Sequence, residues 1–401
     1  MLKTGILSVV LLISISAFEQ KSNHQQPKLV IGIVVDQMRF DYLKKFNFLF
    51  GENGFKRLLQ NGTNCTQTFI PYYPSVTACG HACISSGSVP SLHGINGNTF
   101  YDYNNARVAY CVEDDKVNTI GSTNEKAGKM SPANLWVTAL ADEIRFANNF
   151  KNKSYGISIK DRGAILMAGH SANGAFWYDS KSGNFISSSY YMSELPQWLT
   201  NFNNKKYVDS FYLQNWSLAK EINIYQQWAD TDNNGYEQNP FNDKEPPIFP
   251  YNLSSFVGKD YGKINFTPHS NHLLTKLALE LIKNEKLGQN SDLTDFLSVS
   301  YSAPDYIGHA FGPNSWEELD NYIRLDKEIE NLLNNLDVTV GKNNYTLFLT
   351  ADHGVAPIAE YNKKLKIPSD NLDDKELKTI ILEYLNQQKI DARIIKEVSE
   401  Y

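Results

Sequence analysis

The 401-residue chain has 20% charged and 42% hydrophobic residues, enough for one large α/β domain or two smaller ones, which excludes a wholly disordered chain. Its net charge of −6 argues against nucleic acid as the main partner, because phosphate backbones recruit basic surfaces. A small anionic substrate stays compatible, since a pocket on an acidic protein can be locally positive.

Residues 1–18 read as a secretory signal peptide: Lys3 supplies the charge, "ILSVVLLISI" the apolar core, and Ser16 and Ala17 the small residues that follow. That core is too short to span a bilayer stably. The rest of the chain has no other long apolar run, so the expectation is a periplasmic or secreted protein with no stable membrane insertion. Residues 19–27 read as a polar linker, and 28–401 as the catalytic domain.

Four apolar runs then repeat one pattern, a strand followed at once by polar residues. "KLVIGIVV" ends at Asp36, "YGISI" at Lys160-Asp161-Arg162, "DFLSVSY" leads to Asp305 and His309, and "YTLFLT" ends at Asp352-His353. Runs without clean alternation fit strands buried on both faces, as in a parallel sheet. Helical patterns lie between them. "SPANLWVTALADEIRFANN" predicts a helix starting at Ser131-Pro132, "HLLTKLALELIKNEKLG" one ending on glycine, and "SWEELDNYIRLDKEIENLLNNL" one with Ser315 and Glu318 as a capping box. The fold class is α/β, a doubly wound, mostly parallel sheet flanked by helices. In such sheets ligands bind at the carboxyl ends of the strands, where all four polar clusters fall.

Residues 171–265 break the alternation and read as an inserted cap over the site. They begin with a hairpin around Ser182-Gly183, "GAFWYDSKSGNFISS". Within the cap, "TDNNGYEQ" resembles a calcium loop only faintly, because its spacing stops short of an EF-hand, and it reads as a solvated turn. Export permits disulfides, and Cys65–Cys111 is the one pairing considered. Cys79 and Cys83, four apart on a predicted helix, suit packing better than a bond.

Asp36, Asp305, His309, Asp352 and His353 mix carboxylate and imidazole, a set that suits zinc better than calcium or magnesium. Asp305 and His309 are four apart, so one helical turn aims both the same way. In "PYYPSVTACGHACISSG" two prolines lead into a helix that begins near Thr77 and stops at Gly87. A hydroxyl there, Ser75 or Thr77, sits at the positive end of a helix dipole and becomes a nucleophile when a zinc ion lowers its pKa.

These residues stand in segments that resemble a known family. "VVDQMRFDYL", "YPSVTACGH", "HGINGNTFYD", "SIKDRGAILMAGH", "SAPDYIGHAFGP" and "LTADHGVAP" are similar to the alkaline phosphatase superfamily. They are most similar to its periplasmic, PafA-type phosphate monoesterases, beside the nucleotide pyrophosphatase/phosphodiesterases. The resemblance runs from about residue 28 to about residue 370.

It implies hydrolysis of phosphate monoesters of small substrates, with two zinc ions ~4 Å apart as in other two-metal sites. One ion would be held by Asp36, Asp352, His353 and the nucleophile Thr77, the other by Asp305 and His309. Asn98 would donate to a phosphoryl oxygen, and Lys160 and Arg162 would contact the others. As residues two apart on a strand end, Lys160 and Arg162 can share a face. Two cations suit a dianionic monoester, whereas in the resembling diesterases an apolar pocket meets the second ester group. The implied mechanism is two in-line displacements through a phospho-threonine.

In that family a later segment supplies a third protein ligand, a histidine, to the Asp305/His309 ion. The last histidine here is His353, so the expectation is a domain lacking its C-terminal segment and a second site one ligand short. His81 and His93 read as structural, and His269 and His272 as capping or surface residues. A phosphodiesterase or nucleotide pyrophosphatase is the competing enzyme reading. An inactive exported metal-binding fragment is the non-enzyme one, and a sulfatase is disfavoured because no Cys/Ser-x-Pro-x-Arg element appears.

Overall fold

The computed structural model describes residues 26–103, 105–371, 373–391 and 395. The signal peptide and most of the linker lie outside the described residues.

The four apolar runs become strands: β1 (Leu29–Val35), β5 (Ser154–Ser158), β8 (Asp295–Tyr301) and β9 (Tyr345–Thr350). With β4 (Thr119–Ile120), β6 (Gly174–Asp179) and β7 (Asn184–Ser188) they form a seven-stranded sheet in the order β4-β7-β6-β5-β8-β1-β9. Every pairing from β6 through β9 is parallel, and β7 and β4 add antiparallel edges. A separate antiparallel pair joins β2 (Thr99–Asp102) and β3 (Arg107–Tyr110).

The period of two sorts each strand's residues between two helix layers. On one face Ile31, Ile33, Val35, Leu297, Val299 and Tyr301 pack with the helices His269–Glu285, Ala303–Phe311 and Trp316–Leu336. The other face carries Thr77–Ser86 and Asp161–Ala168, whose Ala78, Ala82, Ala164 and Ile165 share a smaller core with Ala175 and Trp177. Ser300 of β8 points to this second side, where its Oγ meets His81 Nε2 at 2.7 Å. The helices on both faces confirm the doubly wound α/β class.

Most helix signals hold. The helix Thr77–Ser86 ends at Gly87 in the left-handed region, φ +64°, where glycine carries no Cβ penalty. Ser315 Oγ accepts from Glu318 N–H at 3.1 Å, but the Glu318 side chain bonds to Asn321 instead of closing the capping box.

Four expectations are corrected. The helix expected from Ser131 begins only at Leu140, because 131–139 is drawn toward other elements: Trp136 N–H donates to His93 O (3.0 Å) and Asn134 Nδ2 to Cys111 O (3.2 Å). The hairpin assigned to the cap belongs to the main sheet, because every residue of β6 is buried and β6 pairs with β5. The chain leaves the sheet only after Ser188. Cys65 is exposed and Cys111 buried, and both are free thiols, so no Cys65–Cys111 bond forms. Finally, "TDNNGYEQ" is solvated only in part: Thr231, Asn233, Gly235 and Gln238 are exposed, but Asn234 is buried and Asp232, Tyr236 and Glu237 are half-buried.

Candidate active site

The strand ends deliver their polar residues to one place. Asp36 follows β1, Asp352 and His353 follow β9, and β1 pairs with β9 directly. One ligand atom from each of the three lies within 4.8 Å of the others. All three are buried. His353 Nδ1 meets Gly354 O at 2.9 Å and donates to it. That leaves Nε2 facing Asp36 Oδ1 (3.3 Å) and Asp352 Oδ2 (3.7 Å). Neither of those oxygens accepts a hydrogen bond, and two buried carboxylate oxygens left without a donor fit a dication. Burial disfavours the His353 cation, but Asp352 and Asp36 outweigh it and push the ring up to about 10. Burial raises Asp352, yet His353 and His81 hold it below the usual carboxylate range.

The second pair stands on the helix Ala303–Phe311. Its i,i+4 spacing brings His309 Nε2 to 3.2 Å from Asp305 Oδ1, as one helical turn predicts. His353 Nε2 lies 3.8 Å from the same Asp305 oxygen, so the two half-sites adjoin.

Lys160 lies between them. Its ammonium is 2.7 Å from Asp36 Oδ2, 2.5 Å from Asp305 Oδ2 and 3.2 Å from Thr77 Oγ1. Burial opposes its charge, but Asp36 and Asp305 raise its pKa above that of a free lysine. Thr77 is the first residue of a ten-residue helix and is 3% exposed. Asn98 Oδ1 accepts from Ala78 N–H at 3.0 Å, which fixes the amide so that its Nδ2 is the group left to donate.

Lys160 and Arg162 converge by a different route from the one expected. They do not share a strand end: β5 stops at Ser158, Lys160 caps the next helix and Arg162 lies in its first turn. Arg162 Nη1 donates to Tyr110 Oη at 3.0 Å, and that hydroxyl donates to Asp161 Oδ1 at 2.5 Å. The bracing leaves Arg162 Nε without a hydrogen-bond acceptor.

Two contributors escaped the sequence reading. Gln37 adopts φ +63° and joins the half-sites, its N–H donating to Asp352 Oδ1 (3.1 Å) and its Nε2 to Asp305 Oδ1 (2.9 Å). No single-residue pattern signals this. His81, taken as structural, reaches Asp352 Oδ2 at 3.2 Å and Thr77 O at 2.8 Å. Its position four residues after Thr77 was the available signal. Gly80 makes room for this junction, since a Cβ there would lie 2.3 Å from Asp352 O. His93, His269 and His272 stay outside the site. His93 bonds to Ile95 N–H and Cys83, His269 stacks on Phe211, and His272 pairs with Glu328.

The Type I phosphodiesterase / nucleotide pyrophosphatase family matches residues 30–393. Alkaline phosphatase PhoV of Synechococcus elongatus is 46% identical, over 86% of this chain and 62% of its own length. Alkaline phosphatase PafA of Elizabethkingia meningoseptica is 44% identical, over 90% of this chain and 66% of its own. A protein of Myroides odoratus described as a calcium-transporting ATPase is 44% identical, over 94% and 69%. The chain thus spans 62–69% of the length of these curated relatives. The crystal structure of wild-type PafA superposes with a TM-score of 0.86 at 42% identity, covering 90% of this chain and 69% of that one. With this match over nearly the whole chain and this shared fold, the chain belongs to the type I phosphodiesterase / nucleotide pyrophosphatase family.

Proposed function

We propose that residues 28–401 carry the catalytic centre of an exported, zinc-dependent phosphomonoesterase that acts on small phosphorylated substrates. The alkaline phosphatase relatives support this reading. So does the apolar leader at residues 6–15, and no helix among the described residues is long and apolar enough to cross a membrane. The observation that carries it is the placement of Lys160, within hydrogen-bond reach of Thr77 and of both half-sites, with Arg162 two residues away.

Asp36, Asp352 and His353, with Thr77, would hold one zinc ion, and Asp305 and His309 would contribute to the second. When bound, the ions supply Lewis acidity at the attacking and leaving oxygens. Dications held by the same carboxylates would replace the Lys160 ammonium as counter-charge and release it toward an anion. Thr77 attacks phosphorus in line, forming its own P–O bond as the bond to the leaving oxygen breaks. The amides at the start of its helix, Asn98 Nδ2, Lys160 and Arg162 receive the phosphoryl oxygens. Water then releases phosphate from Thr77.

A dianionic monoester offers these cations one more charged oxygen than a diester does. Comparing an aryl phosphate with its methyl ester tests the reading, with zinc content measured in parallel. The expectation is monoester preference, lowered ~10²–10³-fold in Arg162→Ala as when one preorganised charge-stabilising donor is lost. Diester preference, unchanged in Arg162→Ala, would overturn the reading in favour of a phosphodiesterase.

A further inference from the structure

In the sheet β1 lies between β8 and β9, so the residues that follow it can reach what both neighbours deliver. β9 delivers Asp352, and β8 leads through Ser302 into the helix Ala303–Phe311, which carries Asp305. Gln37, just past β1, touches both. Its backbone N–H donates to Asp352 Oδ1 at 3.1 Å and its side-chain Nε2 to Asp305 Oδ1 at 2.9 Å. An ionised carboxylate only accepts, so the amide has one orientation here, with Nε2 toward Asp305. The residue is 2% exposed, and its Oε1 is buried without a partner.

Two local features accommodate this contact. Gln37 adopts φ +63°, in the left-handed region that glycine enters without a Cβ penalty and glutamine does not. A glycine would supply the same N–H to Asp352 with less strain, but nothing for Asp305. Across from it, Gly308 leaves the amide its room. A Cβ on Gly308 would collide with Gln37 Oε1, and the three atoms nearest such a Cβ all belong to the Gln37 amide. Asp305 Oδ1 also lies 3.2 Å from His309 Nε2 and 3.8 Å from His353 Nε2. The bond from Gln37 therefore falls on the oxygen at which the two half-sites meet.

We infer that Gln37 is a positioning residue for the second metal ion: anchored on Asp352 by its backbone, it holds the Asp305 carboxylate where that ion needs it. The inference rests on the two-metal reading given above. A donor on one carboxylate oxygen fixes the plane of the group, as the hydrogen-bond partners of metal ligands do in general. Lys160 also reaches Asp305, at Oδ2, but a dication repels an ammonium and leaves a neutral amide in place. His309, whose side chain is 67% exposed, is left to follow the ion.

The test uses the full chain, with zinc content measured by mass spectrometry across a chelator series and the ion missing from His309→Ala taken as the second one. Gln37→Gly keeps the N–H to Asp352 and relaxes the backbone, so it removes only the side chain. It should release the second ion at ~10–100-fold lower chelator concentration, the range for losing a partner of a metal ligand, and leave the first ion unchanged. Gln37→Glu, of the same size but with an anion facing Asp305, should weaken the second ion further. Gly308→Ala, which pushes the amide aside, should weaken that ion in the native chain and change nothing more in Gln37→Gly, where its target is already gone. This pair decides the matter where Gln37→Glu fails to fold. A Gln37 that only supports the fold would lower the thermal midpoint of metal-free Gln37→Gly while both ions come off as in the native protein. That result, or additive losses in the double variant, would overturn this inference alone. A native chain that takes up zinc at neither half-site would overturn the two-metal reading with it.

Discussion

The two halves of the proposed active centre are built differently. Asp36, Asp352 and His353 come from the ends of two adjacent strands, β1 and β9 at the end of the sheet order, and their side chains are at most 8% exposed. Asp305 and His309 come from a single helical turn, and the His309 side chain is 67% exposed. In the first shell each ligand is fixed by the sheet and by a neighbour that touches it: Gly354 O for His353, His81 for Asp352. His309 has its partner Asp305 and otherwise faces solvent. Preorganisation therefore differs within one site: the closed shell is held rigid before any ion arrives, and the open pair gains its order from what it binds.

The strongest way to break this comparison is to remove one ligand from each half. Asp352→Asn should empty the closed shell and lower turnover ~10³-fold or more, because the proposed nucleophile, Thr77, loses its activation. His309→Ala should weaken metal only at the open pair, leave the closed-shell ion in place, and regain part of its activity with added zinc. Metal content by mass spectrometry, measured during chelator titration, separates the two; equal loss from both variants would show that the halves bind as one unit.

A smaller effect tests the support of the closed shell. His81→Ala leaves every proposed ligand in place but removes the ring that orients Asp352, and should weaken closed-shell metal ~10–100-fold, as outer-shell losses do. A purely structural His81 would lower the thermal midpoint without changing the chelator concentration that strips the ion.

The smallest effect is a pH dependence behind the helix Thr77–Ser86. Burial pushes His93 down to about 4 from an ordinary 6.5, so the folded protein keeps this ring neutral and its Nδ1 free to accept from Ile95 N–H. The stability it contributes is complete above about pH 6.5 and is lost as pH falls through about 4. Urea midpoints of the metal-free chain between pH 7 and pH 4 should therefore fall less steeply in His93→Asn, which has nothing to protonate; parallel curves would remove His93 from the account.

Much of this was legible in the chain itself. Strand runs that stop at Asp36, Lys160, Asp305 and Asp352 announced a parallel sheet and a shared edge, because a strand buried on both faces must be continuously apolar and its polar residues must wait for its end. The i,i+4 step from Asp305 to His309 is a local rule and held. What failed to read through depended on partners distant in sequence. The helix predicted from Ser131 yielded to bonds from Trp136 and Asn134 to His93 and Cys111. The 174–188 hairpin was claimed by β5.

The sequence by itself determined the fold class, the candidate ligands and the helix that presents Thr77, since these follow from short-range periodicity and from residue chemistry. Only the tertiary structure decided that Lys160 lies between two half-sites and that Gln37 and His81 hold their carboxylates. Such contacts join residues 83 to 315 positions apart. No local propensity encodes them, because their geometry is set by how the sheet and its two helix layers close around one another.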